Sequence, residues 1–406
     1  METVLGVRFA GPLEAFALGF AEELTRLGYT RLSAVLQLRL AAHLSRWLAG
    51  QGADAGSLTD VVVGRFLVAR RDAGYTAWLT AVGLAPLLGY LRRLEVLPPP
   101  MPEPVATAAG DVLLERYRGY LLGERGLASG TARVCVARVR AFVTAHIDPD
   151  DVGGGSLAGL TSGDVVAFVV RTCRELSPKA AQQTASAMRS LLRFLHYAGV
   201  LPVSLLDAVP KVANRGPALP KFIPPKQVAR LLASCDRESP AGLRDLAMMT
   251  MMVRLGLRGG EVAALCLEDL DWRHGEIVVR GKGPRTERLP MPADVGAVIV
   301  AYLQRGRPAT ALDRSVFVRV KAPHWGVGPN AVRWVVHAAS LRAGLAPVAA
   351  HRLRHTAATS MLRAGASLAE VGQVLRHRRA QTTSVYATVD TDRLRALARP
   401  WPAGVS

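Results

Sequence analysis

Apolar residues recur along most of this chain at spacings of three and four, the period of helices with one buried face. The stretch LTRLGYTRLSAVLQLRLAAHLSRWL (Leu24 to Leu48) reads as a helix, a glycine-started turn and a long amphipathic helix, and LLGERGLASGTARVCVARVRAFV (Leu121 to Val143) repeats that plan. Each is followed by a Leu-Thr signal, SLTDVVVGRFL and GLTSGDVVAFV, in which Thr or Ser can cap the free amides of a first helical turn. PPKQVARLLASC opens a further helix with proline in its first turn. LRDLAMMTMMVRLGL is apolar on nearly every face, and SLAEVGQVLRH places Ser367 and Glu370 at capping-box spacing. The period changes to two in GEIVVRGKGPRTERLPM, where β-branched residues flank Gly281 and Gly283, so a β-hairpin is predicted there.

Two proline-rich breaks, LPPPMPEP at 97–104 and PKVANRGPALPKFIPP at 210–225, divide the chain into three blocks. The first two close on similar text, PLLGYLRRLEVLP (Pro86 to Pro98) and SLLRFLHYAGVLP (Ser190 to Pro202). They read as diverged copies of one four- or five-helix unit, although amphipathic helices also resemble one another without common origin. The expected organisation is an N-terminal helical domain at 1–100, a second helical domain at 107–206, a linker at 207–222, a third domain at 223–390 and a tail at 391–406. The fold class is mainly α with a small β-hairpin or sheet, which makes the third domain α+β.

Composition narrows the class of partner. The chain has 406 residues, enough for two or three domains with their own cores, and carries 51 Lys and Arg against 32 Asp and Glu, a formal net charge of +19. Such a balance is the footprint of a protein that meets a polyanion, with nucleic acid first and a ribosomal or membrane-surface role behind it. Cys135, Cys173, Cys235 and Cys266 are far apart, so neither a disulfide framework nor a zinc site is indicated. Glu2 and Glu14 spoil METVLGVRFAGPLEAFALGF as a signal peptide, and no apolar run reaches the roughly 18–20 residues of a membrane span. A soluble, cytoplasmic protein is expected.

The chemistry is concentrated in the third block. HRLRHTAATSML packs His351, Arg352, Arg354 and His355 into five residues, and His351 and Arg354 share one face of a helical turn. An arginine fork donates paired hydrogen bonds to a phosphate or carboxylate, and the histidine can add one or pass a proton; alone, the motif reads more simply as a solvated basic face. In RLGLRGGEVAAL, Arg258 precedes Gly259 and Gly260, and Glu261 could hold that guanidinium or one of the histidines. Lys282 lies at the predicted hairpin tip, among Arg280, Arg285 and Arg288. His377 sits between Arg376, Arg378 and Arg379, and Tyr386 follows nine residues later. A free phenol has a pKa of about 10, so about one in a thousand is ionised at neutral pH; it becomes a nucleophile only beside cations and a proton acceptor.

In combination, LGLRGGEVAAL, VVRGKGPRTERLP, HRLRHTAATSML and VGQVLRHRRAQTTSVYATV resemble the tyrosine recombinases, or phage integrases. The resemblance runs through 223–390 and, more loosely, through 107–206, which is similar to the family's helical core-binding, SAM-like domain. It implies a site-specific DNA recombinase of integrase or transposase type, encoded by a mobile element. Tyr386 would attack a DNA phosphodiester to give a 3′-phosphotyrosine, Arg258 and Arg354 would clamp the non-bridging oxygens, and Lys282 would protonate the leaving 5′-oxygen. His351 would assist loss of the tyrosine proton, His377 would donate to the phosphate, and Glu261 and His355 would support the site.

The resemblance further implies double-stranded DNA sites as partner, four protomers around two duplexes, and no need of metal, ATP or another cofactor. The alternatives are an accessory DNA-binding protein without catalysis and a type IB topoisomerase-like enzyme. Arg280, Arg285, Arg288, Arg352, Arg376, Arg378 and Arg379 are the candidate DNA contacts. Arg376 stands where the family usually has glycine, and Glu261 where many members have Asp. The block at 1–100 exceeds the minimal two-domain pattern and is expected to contact DNA or a neighbouring protomer. The tail, with Leu394, Leu397 and Trp401, is expected to dock either on a neighbour or on its own domain.

Overall fold

The computed structural model, which describes residues 3–99, 108–151, 153–213, 222–281, 286–376 and 383, is mostly helical. By density of contacts the chain falls into two compact units, Pro99–Gly216 and the remainder, Met1–Pro98 with Pro217–Ser406. Among the described residues, no helix is long and apolar enough to cross a membrane.

The first block opens with a short antiparallel pair, β1 (Thr3–Val4) and β2 (Val7–Arg8), then runs through α1 (Ala17–Arg26), α2 (Arg31–Gly50), α3 (Asp60–Asp72) and α4 (Ala85–Arg93). Thr30 and Thr59 cap α2 and α3 by accepting the N–H groups of Ser33 and Val62. Phe20, Leu24, Leu38, Leu44, Phe66 and Leu91 fill the core between these helices.

The second block repeats the order with α5 (Ala109–Leu122), α6 (Ser129–His146), α7 (Ser162–Cys173) and α8 (Pro178–Tyr197). Thr161 caps α7 as Thr59 caps α3, here in a full capping box, because the Asp164 carboxylate accepts the Thr161 N–H in return. The core is Leu113, Tyr117, Val139, Phe142, Leu191 and Leu195 with their neighbours.

The third block is organised around α10 (Pro240–Arg254), whose residues 245–252 are all buried. Its apolar run has no polar face because α9 (Pro225–Ala233), α11 (Gly259–Ala263), α12 (Ala293–Arg305), α13 (Pro329–Arg342) and α14 (His351–Arg363) all pack on it. Fully burying each such Leu or Met contributes roughly 1.5–3 kcal/mol over leaving it exposed. The predicted hairpin is present as β4 (Glu276–Arg280) and β5 (Thr286–Pro290), antiparallel with Val278 opposite Arg288 and Arg280 opposite Thr286. A two-residue strand, β3 (Leu270–Asp271), extends it to a sheet of order β3-β4-β5. The last described helix is α15 (Leu368–Val374), with the Ser367–Glu370 capping box that the spacing predicts.

Candidate active site

The end of α10 delivers Arg258 to the protein surface. Gly256 turns the chain there at φ +61°, and a Cβ at that position would lie 2.4 Å from Leu375 Cδ2, so only glycine lets the two segments approach so closely. Arg258 is then fixed at both ends by one carboxylate. Glu261 Oε2 accepts the Arg258 backbone N–H at 2.8 Å, and Oε1 accepts from its guanidinium Nη1 at 2.6 Å. The Arg258 side chain remains 45% exposed, whereas Glu261 is buried. Burial pushes the Glu261 carboxyl up, but the Arg258 N–H and the guanidiniums of Arg376 and Arg258 outweigh it, and the net shift is downward.

The first turn of α14 presents the second group. His351 is exposed, Arg354 is buried and His355 lies between these extremes. Arg354 donates Nη1 to the Gly256 carbonyl at 2.5 Å and Nη2 to the Leu375 carbonyl, so it ties the turn before Arg258 to the segment after α15. The rings of His351 and His355 meet edge to face at 5.5 Å. Burial, then the neighbouring His351 and Arg354, holds His355 below its ordinary pKa, which favours neutral imidazole at physiological pH.

Arg258, His351, Arg354 and His355 line one open cavity of about 910 Å³, so four sequence-predicted residues are brought together, with Glu261 supporting Arg258. Lys282, Arg285, His377, Arg378, Arg379 and Tyr386 lie outside the described residues. The other candidate DNA contacts divide. Arg280 is 51% exposed yet forms a two-pronged pair with buried Asp269 at 2.7 and 2.8 Å. Arg288 is 64% exposed and donates to Glu276 at 3.0 Å, and Arg352 donates to the Phe222 carbonyl at 3.4 Å. Arg376 departs most from the expectation of a DNA contact: its side chain is 3% exposed and donates Nη2 to Glu261 Oε2 at 2.7 Å.

The far wall of the cavity is α13, which sequence reasoning passed over. Asn330, Arg333, Trp334 and His337 line it, while Val332, Val335, Val336 and Ala339 of the same helix are buried. Trp334 is 69% exposed. The signal was available in NAVRWVVH: an indole on the polar face of an amphipathic helix, beside an arginine and one turn before a histidine.

The charge also collects in this block. Residues 217–406 hold 28 of the 51 Lys and Arg but only 14 of the 32 Asp and Glu, whereas residues 1–98 hold ten and eight. The cavity is thus walled by arginine and histidine and lies in the most cationic of the three blocks, a setting that suits an anionic group.

Comparison with known proteins gives the family. Residues 221–393 match the Phage integrase family and residues 114–199 match the Phage integrase, N-terminal SAM-like domain. The chain is 39% identical over 399 residues to y4rA of Sinorhizobium fredii, which carries an integrase/recombinase name, spanning 97% of this chain and 95% of that protein. It is 30% identical over 292 residues to the tyrosine recombinase XerD of Listeria monocytogenes, spanning 70% and 96%.

Two solved structures share the fold at low identity. The XerH site-specific recombinase bound to palindromic difH in a post-cleavage complex aligns at TM-score 0.55 and 17% identity, covering 75% of this chain and 99% of that one. A lambda integrase tetramer bound to a Holliday junction aligns at 0.54 and 14%, covering 79% and 88%. The chain belongs to the phage integrase, or tyrosine recombinase, family. It is therefore a site-specific recombinase, an enzyme that cleaves and rejoins DNA.

Proposed function

We propose that the cavity between α13 and α14 receives the scissile phosphate. Arg258 and Arg354 stabilise the charge that grows on its non-bridging oxygens, which is electrostatic preorganisation. Tyr386 Oη forms a bond to phosphorus as the bond from phosphorus to O5′ breaks. The phenolic proton passes toward His351, and Lys282 supplies the proton that O5′ takes up. His377 donates to the phosphate. The 3′-phosphotyrosine conserves the bond energy, and attack by a 5′-hydroxyl reverses the sequence. The observation that carries this reading is the convergence of Arg258, His351 and Arg354 on one cavity, with Glu261 holding Arg258 in place.

The organisation proposed around the site is a core-binding domain at 107–206 and a catalytic domain at 223–390, joined by the linker at 207–222 and clamping one duplex. Four protomers then hold two duplexes, the stoichiometry named for the lambda integrase tetramer on its Holliday junction. The tail at 391–406 docks on a neighbour within that ring. The reaction runs in the cytoplasm, on the DNA of the mobile element and its host.

The test is a nicked suicide substrate carrying a candidate element end. A denaturation-resistant protein–DNA adduct should form with wild type and disappear, by a factor of 10³ or more, in Tyr386→Phe, with DNA binding unchanged. An adduct of equal yield in the variant overturns the assignment of the nucleophile. Equal DNA binding with no adduct in either protein supports the accessory role instead.

A further inference from the structure

Arg376 is unusual on three counts. It has a left-handed backbone, φ +56°, which strains any side chain beyond glycine. Its guanidinium is nonetheless buried, with Nη1 donating to the Val374 carbonyl at 3.0 Å and Nη2 to Glu261 Oε2 at 2.7 Å. And it immediately precedes His377, in the segment that leads to Tyr386. A strained residue persists only where its surroundings hold it, and strain of this kind gathers at functional sites.

From this geometry we infer that Arg376 is a positioning residue for strand cleavage, acting through Glu261 on Arg258. The physics is a competition for one carboxylate. Glu261 has two oxygens and two guanidinium partners: Oε1 goes to Arg258 Nη1, while Oε2 goes to the Arg258 N–H and to Arg376 Nη2. Arg376 thereby keeps Oε2 from the Arg258 guanidinium. That guanidinium spends one of its five N–H donors on Glu261 Oε1 and has the others to offer a phosphate.

Arg376 also balances charge. Without it, Arg258 and Glu261 would be a neutral pair at the cavity wall; with it, the trio keeps one net positive charge where the phosphate oxygens gain negative charge. The neighbouring Leu375 carbonyl accepts from Arg354 Nη2, so two consecutive residues connect to both proposed clamp arginines.

This inference rests on Arg258 being a phosphate clamp, and the experiment separates the two. Single-turnover adduct formation is measured on suicide substrates with a normal scissile phosphate and with a methylphosphonate, in which a methyl group replaces one charged non-bridging oxygen. The proteins are wild type, Arg258→Ala, Arg376→Gly and Arg376→Lys. Arg376→Gly relieves the backbone and leaves Glu261 paired with Arg258 but removes a buried ion pair, so its melting temperature is recorded to verify that the rates are those of folded protein.

Its cleavage of the normal phosphate should still fall about 10- to 100-fold, less than the roughly 10²- to 10³-fold loss from deleting a direct donor in Arg258→Ala. On the methylphosphonate both deficits should shrink to about threefold or less, because one of the two non-bridging oxygens and its charge are gone. Arg376→Lys, which keeps the charge without the fork, should fall between wild type and Arg376→Gly. A wild-type rate in Arg376→Gly, or a deficit equal on both substrates, overturns the inference while the clamp reading stands. A wild-type rate in Arg258→Ala overturns the clamp reading itself.

Discussion

The first and second blocks can be compared bond for bond. In both, an aromatic ring of the first helix meets one of the last: Phe20 and Tyr90 at 5.7 Å, Tyr117 and Phe194 at 5.5 Å. In both, the last helix ends on a left-handed residue, Glu95 at φ +57° and Gly199 at φ +73°. The following two N–H groups, of Val96 and Leu97 or of Val200 and Leu201, then donate to one carbonyl, Leu91 or Leu195. The positions of this closing turn coincide when the two closing sequences are aligned without gaps.

The cores differ in kind. Among the described residues the buried polar or charged set of the second block is Thr184, whereas the first block buries Glu23, Gln37, Ser45 and Arg70. Glu23 pairs with Arg26 and Arg93, and Arg70 stacks on Tyr75 at 4.1 Å and contacts His43. Two bundles with the same closing turn therefore differ in what they seal inside. The first block has a charged interior that must stay paired.

The sharpest break of the comparison is removal of one copy. Deleting residues 1–104 should shorten the footprint on DNA or weaken assembly at the paired sites. A footprint and an assembly state both equal to full length would show that the first block has neither role.

A second, intermediate difference lies in pH. His43 is held below its ordinary pKa by burial, then by Arg70 and Arg46. Its folded pKa is depressed, so the unfolded chain takes up the proton first, and the first block loses stability as pH falls below about 6.5, the unfolded value. Hydrogen exchange at pH 7.5 and 5.5, corrected for intrinsic rates, should show protection falling in α2 and α3 more than in α6 and α7. His43→Phe should remove the difference.

The smallest effects test the closing turns. Glu95→Gly should stabilise the first block by about 0.5–1 kcal/mol, and Gly199→Ala should destabilise the second by about 1 kcal/mol, read by denaturant unfolding. Opposite signs at equivalent positions would confirm that the two turns do the same work.

Legibility from sequence followed the range of the interactions. Helices, caps and the β4–β5 hairpin were readable because their signals lie within a few residues. The β3 strand was not, since two residues carry no period. Arg258, His351 and Arg354 were singled out by residue type and spacing, and the fold brings them to one cavity. The α13 wall was missed because its polar face interleaves with buried valines. The placement of Arg376 was beyond reach because its partner, Glu261, lies 115 positions upstream, and only the folded chain brings the two together.

The pair between Asp269 and Arg280 carries a consequence for how the hairpin can vary. Asp269, 2% exposed, accepts from the Cys266 N–H as well as from Arg280, and so rivets the far end of β4 to the turn that precedes β3. Four residues, 282–285, separate Gly281 from the start of β5 at Thr286. The chain beyond Arg280 therefore starts from a fixed point, and Lys282 is counted from it, two positions on. Loss of Asp269 should free that starting point, whatever residues follow it.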